Sequence, residues 1–205
     1  MNELQTEFDA VRASDSQQIY KALTAGKIIS KYFYDDLKAE IKQSPLFTVI
    51  FNHLGHFKKL YQHIGFELVF DPDGDFFYVR DYDEGETEEA DENAFRVQVA
   101  LLIIGRFYSR SGRDLEGLIR PDMGLDETDF RILSDTEEYI DILQASRLPS
   151  DWIKVMDFLL ERSFAHRLGE QRYILNPAAL SFLSRLVTNY NQQVEIHEDF
   201  EKVSI

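Results

Sequence analysis

The chain has 205 residues, 44% of them hydrophobic, and no cysteine; it can bury a sizeable core but offers no disulfide framework, thiolate zinc site or thiol nucleophile. Its formal net charge of −15, from 37 acidic and 22 basic residues, argues against a simple nucleic-acid binder. Met1 to Arg12 is polar and acidic without the apolar centre of a signal peptide, and the longest apolar run, Val99 to Ile104, is far too short to cross a bilayer, so a soluble intracellular protein is the expectation.

In chain order, Gln17 to Leu23 and Phe33 to Lys42 carry apolar residues at helical spacing, with Gly26 between them. Ser44-Pro45 marks a fresh helix start. Phe47, Ile50, Phe51, Leu54, Phe57, Leu60, Tyr61 and Ile64 then recur every three or four residues, which predicts one long amphipathic helix ending at Gly65. Phe66 to Phe70 and Phe76 to Arg80 read as strands joined by Asp71-Pro72-Asp73-Gly74-Asp75, a turn whose Pro and Gly supply the required backbone angles. Between Asp81 and Asn93 stand eight acids and no base, leaving 29 acids against 22 bases elsewhere. Such a run cannot offset the cost of ordering, and an interdomain linker is the expectation.

Ala94 to Tyr108 predicts a helix that opens a second unit, followed by an irregular stretch from Ser109 to Gly124. Asp126 to Ser146 reads as one or two helices with a break near Ser134-Asp135. Leu148-Pro149-Ser150-Asp151 introduces a helix with Trp152, Ile153, Val155, Met156, Leu159 and Leu160 on its apolar side, and a second hairpin follows over Phe164 to Leu168 and Arg172 to Leu175. Asn176-Pro177 opens a last helix before a polar tail from Asn189 to Ile205.

Helices, a long helix and a two-stranded ribbon occur twice in that order. The expectation is a mainly α chain with small β-hairpins, of α+β class, built as tandem winged-helix domains. Its boundaries are an N-terminal domain over 1–80, an acidic linker over 81–93, a C-terminal domain over 94–188 and a tail over 189–205. The simpler alternative is one α-rich domain with two incidental hairpins.

No chemistry-bearing motif stands out. His53 and His56 lie three apart with His63 beyond, but no glutamate completes an HExxH pattern, and packing or surface roles are the expectation. A GxSxG elbow, a Walker-type loop and a GxGxxG fingerprint are all absent, so no catalytic, cofactor or metal residue is assigned and the chain reads as a non-enzyme. The basic residues on the predicted long helices and second ribbon are Lys58, Lys59, Lys154, Arg162, Arg167 and Arg172, and a further cluster is Arg106, Arg110 and Arg113. In a winged helix these are positions for phosphate contact.

Two stretches, "IYKALTAGKII…LFTVIFNHLGHFKKLYQHIGFELVFDPDGDFFYVR" and "MDFLLERSFAHRLGEQRYILNPAALSFL", resemble the MukE/MksE family of winged-helix, non-SMC condensin subunits, and the MksE branch in particular. The similarity is collinear from Ile19 to Leu186. The resemblance implies a cytoplasmic, nucleoid-associated homodimer without catalytic activity or cofactor. Such a protein binds a kleisin of the MukF/MksF kind and through it an SMC-type ATPase of the MukB/MksB kind; contact with DNA would be weak or confined to the complex, and no membrane is involved. A free-standing winged-helix transcription regulator, or the equivalent subunit of an SMC-type anti-plasmid system, stands as the alternative.

Overall fold

The computed structural model describes residues 10–35, 37–38, 40–81, 88–170 and 172–186. Helix α1, Ala13–Thr24, turns Ile19 and Leu23 inward. It leads into the short strand β1, Ile29–Ser30. Next comes a hairpin of β2, Tyr32–Asp35, and β3, Glu40–Gln43, where a helix is expected over Phe33 to Lys42. The physical reason lies in local preference. Three consecutive aromatics favour the extended chain, and the Asp35 carboxylate accepts the amides of Leu37 and Lys38, closing an Asx turn that reverses it.

The expected single helix from Leu46 to Ile64 is two: α2, Pro45–Asn52, and α3, Leu54–His63. His53, at φ −122° and ψ 35°, ends one and begins the other. The apolar stripe runs through the bend because Phe47, Ile50, Phe57 and Tyr61 all face the same core. Ser44 caps α2 by accepting the Phe47 amide at 3.2 Å, with Pro45 in the first turn. Strands β4, Phe66–Asp71, and β5, Phe76–Asp81, form the expected ribbon, and β1 adds to it through Ile29↔Phe77 and Ser30↔Phe76, giving the order β1-β5-β4.

Of the expected acidic linker, 82–87 lie outside the described residues. The next helix, α4, Glu88–Arg110, starts six residues before the predicted Ala94. Its inward residues Val97, Ala100, Leu101, Ile104 and Tyr108 keep helical spacing and enter the largest core. A 3-10 turn at Leu115–Ile119 leads to Leu125. Helices α5, Glu127–Asp135, and α6, Glu137–Ala145, meet at Thr136, close to the predicted break, and α5 opens with a capping box between Asp126 and Asp129. Helix α7, Trp152–Glu161, is capped by Asp151, whose carboxylate accepts the Ile153 amide at 2.9 Å.

The second ribbon, β6, Ala165–Leu168, with β7, Arg172–Leu175, follows as expected. Leu125 bridges Tyr173 on β7 by two backbone bonds of 2.8 and 2.9 Å, as β1 bridges β5 in the first half. The chain approaches so closely that a Cβ on Gly124, at φ +67°, would lie 2.3 Å from the Tyr173 carbonyl oxygen, so only glycine fits. The last helix among the described residues, α8, covers 177–186. The expected tail over 189–205 lies outside the described residues.

The two halves touch. Ile28, Phe76 and Ala178 form a small buried cluster with Tyr78 and Phe164 against it. The Ile28 amide donates to the Arg162 carbonyl at 3.2 Å, and the Asn176 amide donates to Ser30 Oγ at 3.1 Å. Arg185 reaches Asp71 at 3.2 Å and Asp73 at 3.4 Å on the β4–β5 turn. No helix among the described residues is long and apolar enough to cross a membrane.

Candidate functional site

The helix before each ribbon is the element whose outer face is left to solvent once its inner face has built a core. On α3 the inward residues are His56, Phe57 and Tyr61. Burial raises the pKa of the Tyr61 phenol and keeps it neutral. The outward residues are Lys58, Lys59, Gln62 and His63, all exposed. No aspartate or glutamate occurs between Glu40 and Glu67, so nothing on α2 or α3 neutralises that face. In a chain of net charge −15 this is the longest opportunity for positive potential, and the acid-free stretch was the sequence signal for it.

On α7 the buried set is Trp152, Val155, Met156 and Leu159, and the exposed set is Ile153, Lys154, Asp157 and Glu161. One lysine is outweighed by two acids, with an exposed isoleucine beside them. Although α3 and α7 hold the same position in their halves, their outer faces have different chemistry.

The remaining basic candidates are engaged within the fold. Arg106 and Arg110 both grip Glu138 on α6, at 2.7 and 3.1 Å. Arg113 makes a two-pronged pair with Asp129, at 2.8 and 3.1 Å, and its guanidinium stacks 4.0 Å from the Tyr108 ring centroid. That pair ties the end of α4 to the start of α5. Arg162 lies over Phe158 at 3.9 Å and donates to Asn93 Oδ1 at 3.1 Å, and burial lowers its pKa from the ordinary arginine value. Arg167 donates to the Glu170 carbonyl, and Arg172 to the carbonyls of Pro121 and Asp122. Lys58, Lys59 and Lys154 extend to solvent and form no ion pair among the described residues.

The histidines do not converge on one point. His56 is buried with its ring edge-on to Phe57 at 5.1 Å, His53 sits half-buried at the α2–α3 bend and His63 is exposed. Among the described residues no group of three or more His, Cys, Asp or Glu could hold a metal ion.

A shallow cleft of about 550 Å³ lies between the β2–β3 hairpin and the second half, lined by Tyr34 on one side and by Pro121, Asp126, Glu127, Leu168 and Arg172 on the other. Tyr34 also meets the His166 ring at 6.4 Å, so the hairpin stands beside the second ribbon.

A family model described as "Condensin complex protein MksE" matches residues 14–187, from the second residue of α1 through α8 and hence both halves. No curated protein matches the chain.

Proposed function

Because the chain belongs to the MksE family of condensin complex proteins, we propose that it is a non-catalytic subunit of an SMC-kleisin condensin, binding the kleisin and supporting chromosome condensation and segregation. The observation that carries this reading is the extent of the family match, which takes in both halves and the junction between them.

The order of elements supports reading the halves as tandem winged-helix domains. In each, a first helix, a short paired segment, further helices and a two-stranded ribbon follow one another, and the short segment pairs with the second strand of the ribbon. The chain acts as a homodimer that holds a MukF/MksF-like kleisin and meets a MukB/MksB-like ATPase through it, in the cytoplasm and at the nucleoid. DNA contact is weak for the chain alone, since its net charge of −15 repels a polyanion, and it is made through Lys58 and Lys59 on α3.

Co-expression with the kleisin encoded beside it, followed by size-exclusion chromatography with light scattering, tests this reading. A stable complex containing two copies of the chain is expected. A strictly monomeric chain that ignores that kleisin would overturn it. Tight, sequence-specific binding to a duplex without any partner would instead favour a free-standing regulator.

A further inference from the structure

The β2–β3 hairpin is inserted between β1 and α2 and forms its own two-stranded sheet. A ribbon of two strands is marginal in water by itself. This one nevertheless exposes large apolar side chains: Leu37 is 98% exposed, Ile41 43% and Tyr32 40%. Its register pairs Tyr32 with Gln43, Phe33 with Lys42, Tyr34 with Ile41 and Asp35 with Glu40. Directly opposed residues share a face. Tyr32, Tyr34, Ile41 and Gln43 therefore occupy one face, and Phe33, Asp35, Glu40 and Lys42 the other. On the second face the Lys42 ammonium pairs with Asp35 and Glu40 and holds the Asp35 carboxyl below the usual carboxylate range.

The backbone shows which groups are left over. The Ser44 amide donates to the Lys31 carbonyl at 2.8 Å, continuing the ladder one step beyond Tyr32↔Gln43. Hydrogen-bonded and non-bonded pairs alternate along an antiparallel ladder. Positions 33↔42 and 35↔40 are thus the bonded pairs, and the amides and carbonyls of Ile41 and Gln43 point away from β2. The other edge is partly occupied at its start, where the Lys31 amide donates to the Asp75 carbonyl and its ammonium pairs with the Asp75 carboxylate, both at 2.8 Å. An open edge with outward backbone groups beside an exposed isoleucine is a template for another strand.

We propose that this strand is β3 of a second copy, paired antiparallel about a two-fold axis at Ile41, so that the two hairpins form one four-stranded sheet across a dimer. A symmetric contact has to be self-complementary, and this register is. Ile41 lies opposite Ile41 of the second copy and uses its outward amide and carbonyl in both directions. Glu40 of each copy lies opposite Lys42 of the other, which makes two crossed ion pairs on one face. On the other face Tyr34, Ile41, Ile41 and Tyr34 run on as one apolar row. A slip by one residue sets Ile41 against a charged residue and misaligns the outward backbone groups. The inference rests on the homodimer read above and adds its surface and register.

The full chain is tested by sedimentation and light scattering across a concentration series, with circular dichroism as the check on folding. The expected result is a dimer for the unsubstituted chain and at least tenfold weaker self-association for Ile41→Pro, which removes the outward amide and the apolar side chain at the two-fold axis while leaving the bonds between β2 and β3 in place. Glu40→Lys and Lys42→Glu are each expected to weaken the dimer to a similar extent, and an equimolar mixture of those two chains is expected to restore it, because the exchanged charges attract only between the two variants. An unsubstituted dimer that Ile41→Pro leaves at full strength, or a mixture that does not reassociate, would overturn this surface while leaving the homodimer standing. An unsubstituted chain that stays monomeric, alone and with its kleisin, would overturn the homodimer itself and this surface with it.

Discussion

On α3 the solvent-facing residues are Lys58, Lys59, Gln62 and His63; on α7, which holds the same place before the second ribbon, they are Ile153, Lys154, Asp157 and Glu161. The inward residues of both helices do the same work, placing aromatic and aliphatic side chains against a core behind a small sheet. The position of each helix is set by its inner face and by the ribbon after it, so the outer face is free to differ. The first half presents a face with two lysines and no acid, on which the DNA contact proposed above rests. The second presents a mixed surface on which two acids outweigh one lysine beside an exposed isoleucine.

The largest tests concern the cores behind those faces. Phe77→Ala in the first half and Trp152→Ala in the second should each cost about 3–5 kcal/mol in chemical denaturation, since both side chains are fully buried. If the junction around Ile28, Phe76 and Ala178 joins the halves into one cooperative unit, each variant will still unfold in a single transition. Two separated transitions would divide the halves energetically as well as chemically. A smaller loss, about 2–3 kcal/mol, is expected for Arg113→Ala, which leaves the largely buried Asp129 carboxylate without its two-pronged partner.

The comparison of outer faces is sharpened by a titration of full-length chain with a short duplex. Lys58→Glu combined with Lys59→Glu should weaken binding about tenfold or more and lower the salt-dependence slope by about two. Lys154→Glu should change affinity by less than about twofold, because Asp157 and Glu161 already offset that lysine. Equal losses from both sites would break the distinction between α3 and α7. The smallest effects belong to the caps: Ser44→Ala and Asp151→Ala should each cost about 1 kcal/mol in thermal or chemical unfolding.

Both ribbons were legible in the sequence. Asp71-Pro72-Asp73-Gly74 and Gly169-Glu170 each sit between short β-forming segments, and a long apolar stripe comes before each. The β2–β3 hairpin was not. Tyr34, Leu37 and Ile41 fall at helical spacing by coincidence, whereas the three aromatics and the Asx turn at Asp35 act over only a few residues. The bend at His53 was hidden because the stripe continues across it, and a two-residue strand such as Ile29–Ser30 is too short to have a period. The basic candidates were readable as residues but not as free groups. Nothing in the spacing of Arg106, Arg110 and Arg113 announces Glu138 or Asp129 as partners, since those lie on helices that the chain reaches only after a long irregular stretch. The acid-free run from Ile41 to Phe66 was in plain view, and it separates Lys58 and Lys59 from the other candidates.

Asn176 carries a load out of proportion to its size. Its carbonyl oxygen accepts the Ala179 amide at 2.8 Å and so starts α8, while its amide donates both to the Ser163 carbonyl, just ahead of the second ribbon, and to Ser30 in the first half. The start of α8 and the junction of the two halves therefore share one side chain, beside the Ile28–Arg162 backbone bond and the Arg185 pairs that also join the halves. Loosening the first turn of α8 would reach the start of the β2–β3 hairpin through Ser30, whereas the far end of that helix, where Arg185 holds Asp71 and Asp73, bears on the β4–β5 turn.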